Sequence, residues 1–440
     1  MKNTIVALLL AGGNSSRLWP LEDKYTLDFL GKPLAYYSIR QLERFGIYDV
    51  VIVVNEKNFP IFERLKSDFS KIRMVFVKQT DSRGMAGAVV SAEAEIAGKP
   101  VLIISPSDVY EDDIFIHFDN LRSKHPDGII AGITKDTYFP GGYLTVSSGR
   151  VTTLTEKPDP KNLPSNIVSF VFHYFNNAST LIEEIETLKG TKENLYERAI
   201  DTLIRNGSEF KYLHYKSFWG YLKYPWDCLS LSSYFLSRNT GKIGGNVKIA
   251  KGVTLSGKIQ IEDGVTILEG AKIVGPTYIG RGTLIGNNTV IRESMIGSRC
   301  VVGFATEIVR SSIGNDCWFH SNYIGDSILS HNIGLGAGAV VANFKLNETT
   351  VSSTLSGKKV DTGRLKLGAA IGENVRIGIH ASLMPGVKIG KNSHIGSAVL
   401  IDRDIGENVY CAHLPSTFVE KKVTDKKPVR LKDIHAVHFS

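Results

Sequence analysis

Residues 8–33 read LLLAGGNSSRLWPLEDKYTLDFLGKP. An apolar run ends at Leu10 and Ala11, passes into the small residues Gly12, Gly13, Asn14, Ser15 and Ser16, and is followed by Arg17 and Lys24. The run suits a short buried strand, and glycines at its end let main-chain N–H groups approach an anion that a Cβ would hold off. Arg17 adds a planar fork of donors suited to phosphate oxygens, and Lys24 a mobile point charge. A strand that delivers such groups at its carboxyl end predicts an α/β domain with the ligand beyond the strand tips. A nucleoside triphosphate is the anion this order suits. The glycines alone also fit an ordinary strand-to-helix turn, so the rest of the chain has to decide.

Outward from this stretch, the first 230 residues alternate strand and helix patterns. Strands are predicted at residues 4–10, 50–55, 73–78, 101–104 and 128–134, with a helix over 34–45 between the first two. That alternation predicts a Rossmann-like domain with a mostly parallel sheet over residues 1–235. From residue 240 the period changes. Ile243, Ile249, Leu255 and Ile261 begin a series at intervals of six that runs to Ile291 and resumes from Ile371 to Ile401. One aliphatic residue in six, with Gly, Asn or Asp between, is the mark of a parallel β-helix whose every face points one apolar side chain inward. The β-helix is expected over 241–419, with a basic tail over 420–440. Residues 292–370 keep only fragments of the repeat, and an interruption in a rigid solenoid is a natural place for function.

The chain has 440 residues, of which 42% are hydrophobic and 22% charged, which suits two or three globular domains. No apolar run reaches the ~20 residues of a membrane span. Cys228, Cys300, Cys317 and Cys411 lack C-x-x-C spacing, which argues against a zinc site or disulfide framework and fits a reducing cytoplasm. The 52 basic and 44 acidic residues give a net charge of +8, an excess explained by phosphorylated substrates or solubility without a nucleic-acid partner.

With Gly31-Lys32-Pro33 closing it, the opening stretch resembles the signature of sugar-1-phosphate nucleotidyltransferases. Ser15 and Ser16 stand where that family has glycine and threonine, and Asp23 where it has the proline before the lysine. The resemblance implies that Leu10, Ala11, Gly12 and Gly13 hold the nucleotide and that Arg17 and Lys24 stabilise charge on its phosphates. Gln79 and Gly84 look like the segment that reads a pyrimidine, uridine or thymidine. Asp108 falls at the family's Mg²⁺ ligand, and an oxygen-seeking ion that bridges phosphates needs only one or two carboxylates. Gly142, Glu156 and Lys157 match the sugar-phosphate site. In 219–227, WGYLKYPWD, Tyr221 stands where the family has a second acidic or amide ligand, and a phenol is a poor substitute near neutral pH.

The repeats resemble the left-handed hexapeptide β-helix of acyltransferases, which usually trimerise. Within the interruption, His320, Tyr323, Asn343 and Lys366 resemble the acetyl-transfer site of archaeal-type bifunctional enzymes that acetylate glucosamine 1-phosphate and then uridylylate it. A neutral imidazole at His320 suits removal of a proton from an amine attacking acetyl-CoA. Phe344-Lys345-Leu346-Asn347 replaces the basic, glycine-bearing stretch expected there.

Three readings follow. One is a two-site enzyme, taking a nucleoside triphosphate, a sugar 1-phosphate and acetyl-CoA and assembling as a homotrimer or higher homo-oligomer through the β-helix. The second is a nucleotidyltransferase alone, making UDP- or dTDP-glucose or a related sugar nucleotide. The third is a binding or regulatory subunit, as the departures at Ser15 and Tyr221 would suit.

Overall fold

A computed structural model describes residues 5–188, 194–414 and 417–422. The chain divides into two compact units, Met1–Asn14 with Pro33–Tyr221, and Ser15–Lys32 with Leu222–Ser440. Residues 423–440 of the expected tail lie outside the described residues.

In the first unit, nine strands form one sheet. The strand Val6–Leu10 is buried along its whole length and lies parallel to Asp49–Val54 on one side and Val101–Ile104 on the other, with Arg73–Lys78 beyond. Unbroken apolar runs such as VALLL and VLII occur because both faces of a parallel sheet are covered. The parallel expectation holds for these four strands. Past them, Ile167–Phe175 runs antiparallel to Val101–Ile104 and Gly128–Thr134, Phe210–His214 lies parallel to Gly128–Thr134, and a hairpin of Gly142–Ser147 and Arg150–Glu156 completes the sheet. Separately, Asp108–Tyr110 and Trp219–Tyr221 pair as a two-stranded antiparallel ribbon.

The second unit is the left-handed parallel β-helix, with three sheets of ten, eight and seven strands as its faces. Its core is an aliphatic column in which Ile261, Ile279, Ile296, Ile313, Leu329, Ile371 and Ile389 stack in register, one per coil. The loss of the six-residue period after Ile291 does not mark a break in this column. Paired strands are 18 residues apart at Thr266↔Leu284, 17 apart at Leu284↔Val301 and Val301↔Trp318, and 16 apart at Trp318↔Gly334. Shortened corners abolish the sequence period while the strands keep pairing. Among the described residues, one excursion interrupts the stack of coils, carrying the hairpin of Val351–Leu355 and Lys358–Arg364. At one corner, Asn332, Asn374, Asn392 and Asn408 occupy the left-handed region and pass amide hydrogen bonds of 2.8, 3.0 and 3.0 Å from coil to coil.

The segment Ser15–Lys32 packs on this unit. Glu22 pairs with Lys391 at 2.6 Å, Trp19 Nε1 donates to Glu407 at 3.2 Å, and the ring of Phe29 lies 5.0 Å from that of Phe235. Phe235 belongs to the helix Asp227–Ser237, which falls in the same unit.

Candidate active sites

In the first unit, the turn after Val6–Leu10 is shaped by two asparagines that no motif singled out. Asn58, fully buried, donates from Nδ2 to the Ala11 carbonyl at 2.8 Å, and Asn55 donates to the carbonyls of Gly13 at 3.1 Å and Gly12 at 3.4 Å. In a trans peptide the C=O and the following N–H point in opposite directions, so the N–H groups of Gly12, Gly13 and Asn14 face away from the asparagines. The only sequence signal for this was an Asn-x-x-Asn at the end of the neighbouring strand. Gln79 lies over Gly12 so closely that a Cβ there would overlap its side chain. Its Nε2 donates to the main-chain carbonyls of Asp81 at 2.8 Å and Gly84 at 3.0 Å. Gly84, at a φ of 62°, opens the helix Gly84–Ser91. Gly12, Gly13, Gln79 and Gly84 are thus brought together.

Asp108 is buried and lies directly opposite Tyr221 in the two-stranded ribbon. Opposed residues in an antiparallel pair share a face, with Cβ atoms about 4.5–5.5 Å apart. Hence the position where a second ligand was expected does stand beside Asp108, and it holds a phenol. The Tyr221 ring is 5.1 Å from both Phe139 and Trp219, an aromatic group with Lys135 Nζ 5.3 Å from the Trp219 ring. Burial lowers the Lys135 pKa. No group of three or more His, Cys, Asp or Glu that could hold a metal exists among the described residues.

Gly142 and Glu156 are register partners in the hairpin, and Glu156 Oε2 would be 3.4 Å from a Cβ at Gly142. Lys157 is held at a φ of 46°, in the left-handed region that a non-glycine residue occupies at a cost; its N–H donates to Gly141 and its Nζ is 3.5 Å from Glu156. Glu197 is a further carboxylate here that sequence reasoning missed. Burial, and then the charge of Glu156, push its pKa up to about 7. It sits in the first turn of the helix Leu195–Arg205 and belongs to no motif.

Arg17 and Lys24 ride on the segment that belongs to the second unit. Ser15 adopts a φ of 51°, so the place where glycine is usual is indeed a left-handed turn, here occupied by serine, whose Oγ accepts from the Lys24 N–H at 3.4 Å. Asp23 is buried, and its carboxylate accepts from the Tyr25 N–H at 2.8 Å. This Asx turn fixes the chain around Lys24 in place of a proline. Arg17 is exposed in the short turn Ser16–Leu18, and Lys24 Nζ lies 4.9 Å from the Tyr25 ring. Asp227 accepts from the N–H groups of Lys223 at 2.9 Å and Tyr224 at 2.7 Å, and burial raises its pKa to about 6. Its bonded oxygen serves the turn before its own helix.

On the β-helix, His320 is exposed at a coil corner, its N–H donating to Asn322 Oδ1 at 2.6 Å and its ring edge-on to Trp318. The Asn322 amide in turn donates to the carbonyls of Gly336 and Ala339 at 2.8 and 2.9 Å, tying this corner to the next coil. Tyr323 and Asn343 meet across Gly325, where a Cβ would touch both the phenol oxygen and the amide. Asn343 Nδ2 donates to Asp326 at 2.5 Å, and Arg310 clamps the same carboxylate through two bonds of 2.7 Å. Arg310 and Asp326 had not been singled out. Lys366 is exposed, on the return from the excursion opposite Phe344.

A mixed sheet whose parallel part ends in this glycine turn, in one chain with a hexapeptide β-helix that carries a polar cluster on its shortened coils, defines a sugar-phosphate nucleotidyltransferase with an acetyltransferase-type domain. The family described as Nucleotidyl transferase matches residues 6–220, and Bacterial transferase hexapeptide (six repeats) matches 258–293 and 368–403. The gap between the two repeat matches is the stretch of shortened coils and the excursion. A Bifunctional protein GlmU of Methanococcus aeolicus is 31% identical over 92% of this chain and 96% of its own, and that of Methanococcus vannielii 30% identical over 94% and 99%. A Bifunctional sugar-1-phosphate nucleotidylyltransferase/acetyltransferase of Sulfurisphaera tokodaii is 28% identical over 91% and 98%. The chain belongs to the bifunctional GlmU family.

Proposed function

We propose that the first unit transfers a uridylyl or thymidylyl group to N-acetylglucosamine 1-phosphate, and that the β-helix makes this acceptor by acetylating glucosamine 1-phosphate with acetyl-CoA. What carries the reading is that a nucleotidyltransferase sheet and an acetyltransferase-type β-helix follow each other in one chain, along nearly the whole length of the bifunctional relatives. In nucleotidyl transfer, an oxygen of the sugar phosphate attacks the α-phosphorus, the bond to the bridging oxygen breaks, and pyrophosphate leaves. The chain supplies position and charge, not covalent chemistry. The N–H groups of Gly12 and Gly13, beyond Leu10 and Ala11, hold phosphate oxygens, and Arg17 and Lys24 balance the charge that grows on them. Gln79 and Gly84 read the base. Glu156 accepts from sugar hydroxyls, Gly142 leaves room for the ring, and Lys157 holds the sugar phosphate.

The donors present fit a Mg²⁺ ion held chiefly by substrate phosphates, with Asp108 as its carboxylate, since Mg²⁺ keeps several waters and needs only one or two such ligands. When bound it neutralises phosphate charge. In acetyl transfer, the amine attacks the thioester carbon as His320 removes its proton, and CoA leaves as the thiol; Tyr323 and Asn343 orient the reactants, and Lys366 contacts phosphate.

A second reading, nucleotidyl transfer alone with the β-helix serving assembly, draws on one observation. Lys345, the single basic residue in 344–347, has its ammonium engaged within its own loop, donating to Thr349 Oγ1 at 2.6 Å and to the Thr350 carbonyl at 3.1 Å. Assembly through the β-helix is supported by exposed Val340, Leu400 and Leu346. No described helix is long and apolar enough to cross a membrane. No disulfide joins the four buried cysteines, which suits the cytoplasm. The test is pyrophosphate release over a panel of nucleoside triphosphates and hexose or hexosamine 1-phosphates, with Asp108→Ala as control, beside release of free CoA from acetyl-CoA and glucosamine 1-phosphate. CoA release sensitive to His320→Ala supports two sites; its absence, with pyrophosphate release intact, leaves the second reading.

A further inference from the structure

Behind the hairpin that carries Gly142 and Glu156, the strand Ile167–Phe175 brings together three polar side chains with no place in the motifs above. His173 is fully buried. Its Nε2 lies 3.1 Å from Ser169 Oγ and its Nδ1 2.9 Å from the Tyr196 hydroxyl. The His173 and Tyr196 rings stack nearly parallel, 5.7 Å apart and inclined by 11°, and the Phe170 main chain is a further partner of the imidazole. Burial drives the imidazole pKa down to about 4, so the ring is neutral near pH 7. A neutral imidazole has one donor nitrogen and one acceptor, so either tautomer imposes a direction on the chain and orients both hydroxyls.

The Ser169 end of this chain reaches the proposed sugar site. A Cβ at Gly142 would lie 3.4 Å from Glu156 Oε2 and 3.6 Å from the Ser169 Cβ, so Ser169 and Glu156 flank the same glycine. At the other end, Tyr196 precedes Glu197, the carboxylate that feels the charge of Glu156. The strand is irregular here. Pairing with Gly128–Thr134 shifts between Ser169↔Gly132 and His173↔Ile130, so four steps on one strand match two on the other. Irregularities of this kind re-aim side chains.

We propose that His173 is a positioning residue for nucleotidyl transfer: held by Tyr196, it fixes the hydroxyl of Ser169 beside Glu156, where that hydroxyl contacts the sugar ring of the acceptor. The proposal rests on reading Glu156 as the sugar end of the site. It places His173 in control of the affinity for the sugar 1-phosphate and leaves the nucleotide unaffected.

Steady-state kinetics that separate the KM of the sugar 1-phosphate from that of the nucleoside triphosphate test it in the full-length protein. Ser169→Ala raises the sugar KM about tenfold, what a single hydrogen bond of ~1.4 kcal/mol is worth, with the nucleotide KM unchanged. His173→Phe does the same, and the double variant is no worse than either single one, because one interaction is lost in all three. A His173→Phe enzyme with the parent sugar KM, or a double variant whose losses multiply, overturns the proposal. Should His173→Phe fail to fold, Tyr196→Phe removes only a hydroxyl and must move the sugar KM alone in the same direction. Glu156→Gln separates the two levels. If it leaves the sugar KM untouched, the reading of the sugar end fails; if it raises that KM while the Ser169 and His173 variants do not, only the positioning role fails.

Discussion

Replacing Tyr221 by Asp tests the metal assignment in both directions. Position 221 faces Asp108 across the ribbon, so the new carboxylate stands beside the old one. At about 5 Å and an effective dielectric constant of about 20, two such charges repel by about 3 kcal/mol. The substitution also removes a ring that contacts Phe139 and Trp219. Two aromatic contacts contribute about 1–2 kcal/mol beyond their buried area. Without metal the loss is therefore about 4–5 kcal/mol, or about 10–15 °C in melting temperature for a domain of about 200 residues. Millimolar Mg²⁺ removes the repulsion but not the packing loss, so roughly two thirds of the fall is recovered. The parent protein, with one carboxylate and no nucleotide, shows no such response. Tyr221→Leu, which supplies no oxygen ligand, separates the terms, losing the ring's share alone with no dependence on Mg²⁺. Melting curves with and without MgCl₂, and pyrophosphate release titrated with Mg²⁺, read both effects; the variant's half-saturation falls at least about tenfold if the new ligand adds 1.4 kcal/mol. A Tyr221→Asp protein whose melting temperature and Mg²⁺ requirement are both indifferent to the change would refute the placement of a metal at Asp108.

Asn58→Ala leaves the Ala11 carbonyl without its buried donor, a loss of about 1–3 kcal/mol; the KM for nucleoside triphosphate is expected to rise about tenfold while that for the sugar 1-phosphate holds. The raised pKa of Glu197, about 7 in the folded protein, means that the folded state keeps a proton the unfolded chain releases near pH 4.3, so stability present below that pH is lost as pH rises through 7, by about 4 kcal/mol. Glu197→Gln removes this slope, so its melting temperature gains on the parent's from pH 5 to pH 8; a constant difference would show that Glu197 ionises freely. His320→Ala is expected to lower CoA release by about 10²–10⁴-fold with pyrophosphate release untouched, measured on the same preparation. Val340→Glu with Leu400→Glu places charges on exposed apolar positions of one face of the β-helix, and sedimentation velocity is expected to show a smaller species for the variant than for the parent, as the proposed assembly through this domain requires.

The β-helix was legible because its period is physical: every sixth residue points inward, and only an aliphatic side chain fits there. What the spacing hid was the change to coils of 17 and 16 residues, which destroys the period without unstacking Ile313 on Ile296. Gly12, Gln79, Asp108 and Glu156 could be singled out because their types and order match a known signature. Asn55, Asn58, Ser169, His173 and Glu197 could not, because they act through contacts made by chain segments distant in sequence. A buried histidine and a buried asparagine look in sequence like any others. The grouping of Arg17 and Lys24 with the second unit was equally invisible, for it depends on Glu22 and Trp19 finding Lys391 and Glu407 some 370–390 residues later.

The departures from the family signature bear on whether the first unit is a worn-out enzyme. An abandoned site has no reason to keep the conformation its motif once required. Here Ser15 still adopts the left-handed backbone suited to glycine, and its hydroxyl reaches the Lys24 N–H. Asp23 replaces the constraint of a proline with an Asx turn on the residue after Lys24. Tyr221 keeps the ribbon partner of Asp108 and fills the place of a polar ligand with a ring braced by Phe139 and Trp219. At two of the three positions the substitute does the geometric work of the residue it replaces. At the third it removes charge and adds packing. Loss of function predicts no such division. A site that has transferred more of its metal coordination from the protein to the substrate phosphates does, and it predicts an enzyme whose Mg²⁺ dependence follows nucleotide concentration, as a Mg²⁺ titration repeated at several nucleotide levels would reveal. A half-saturation that stays fixed as nucleotide is varied would instead return the metal to the protein.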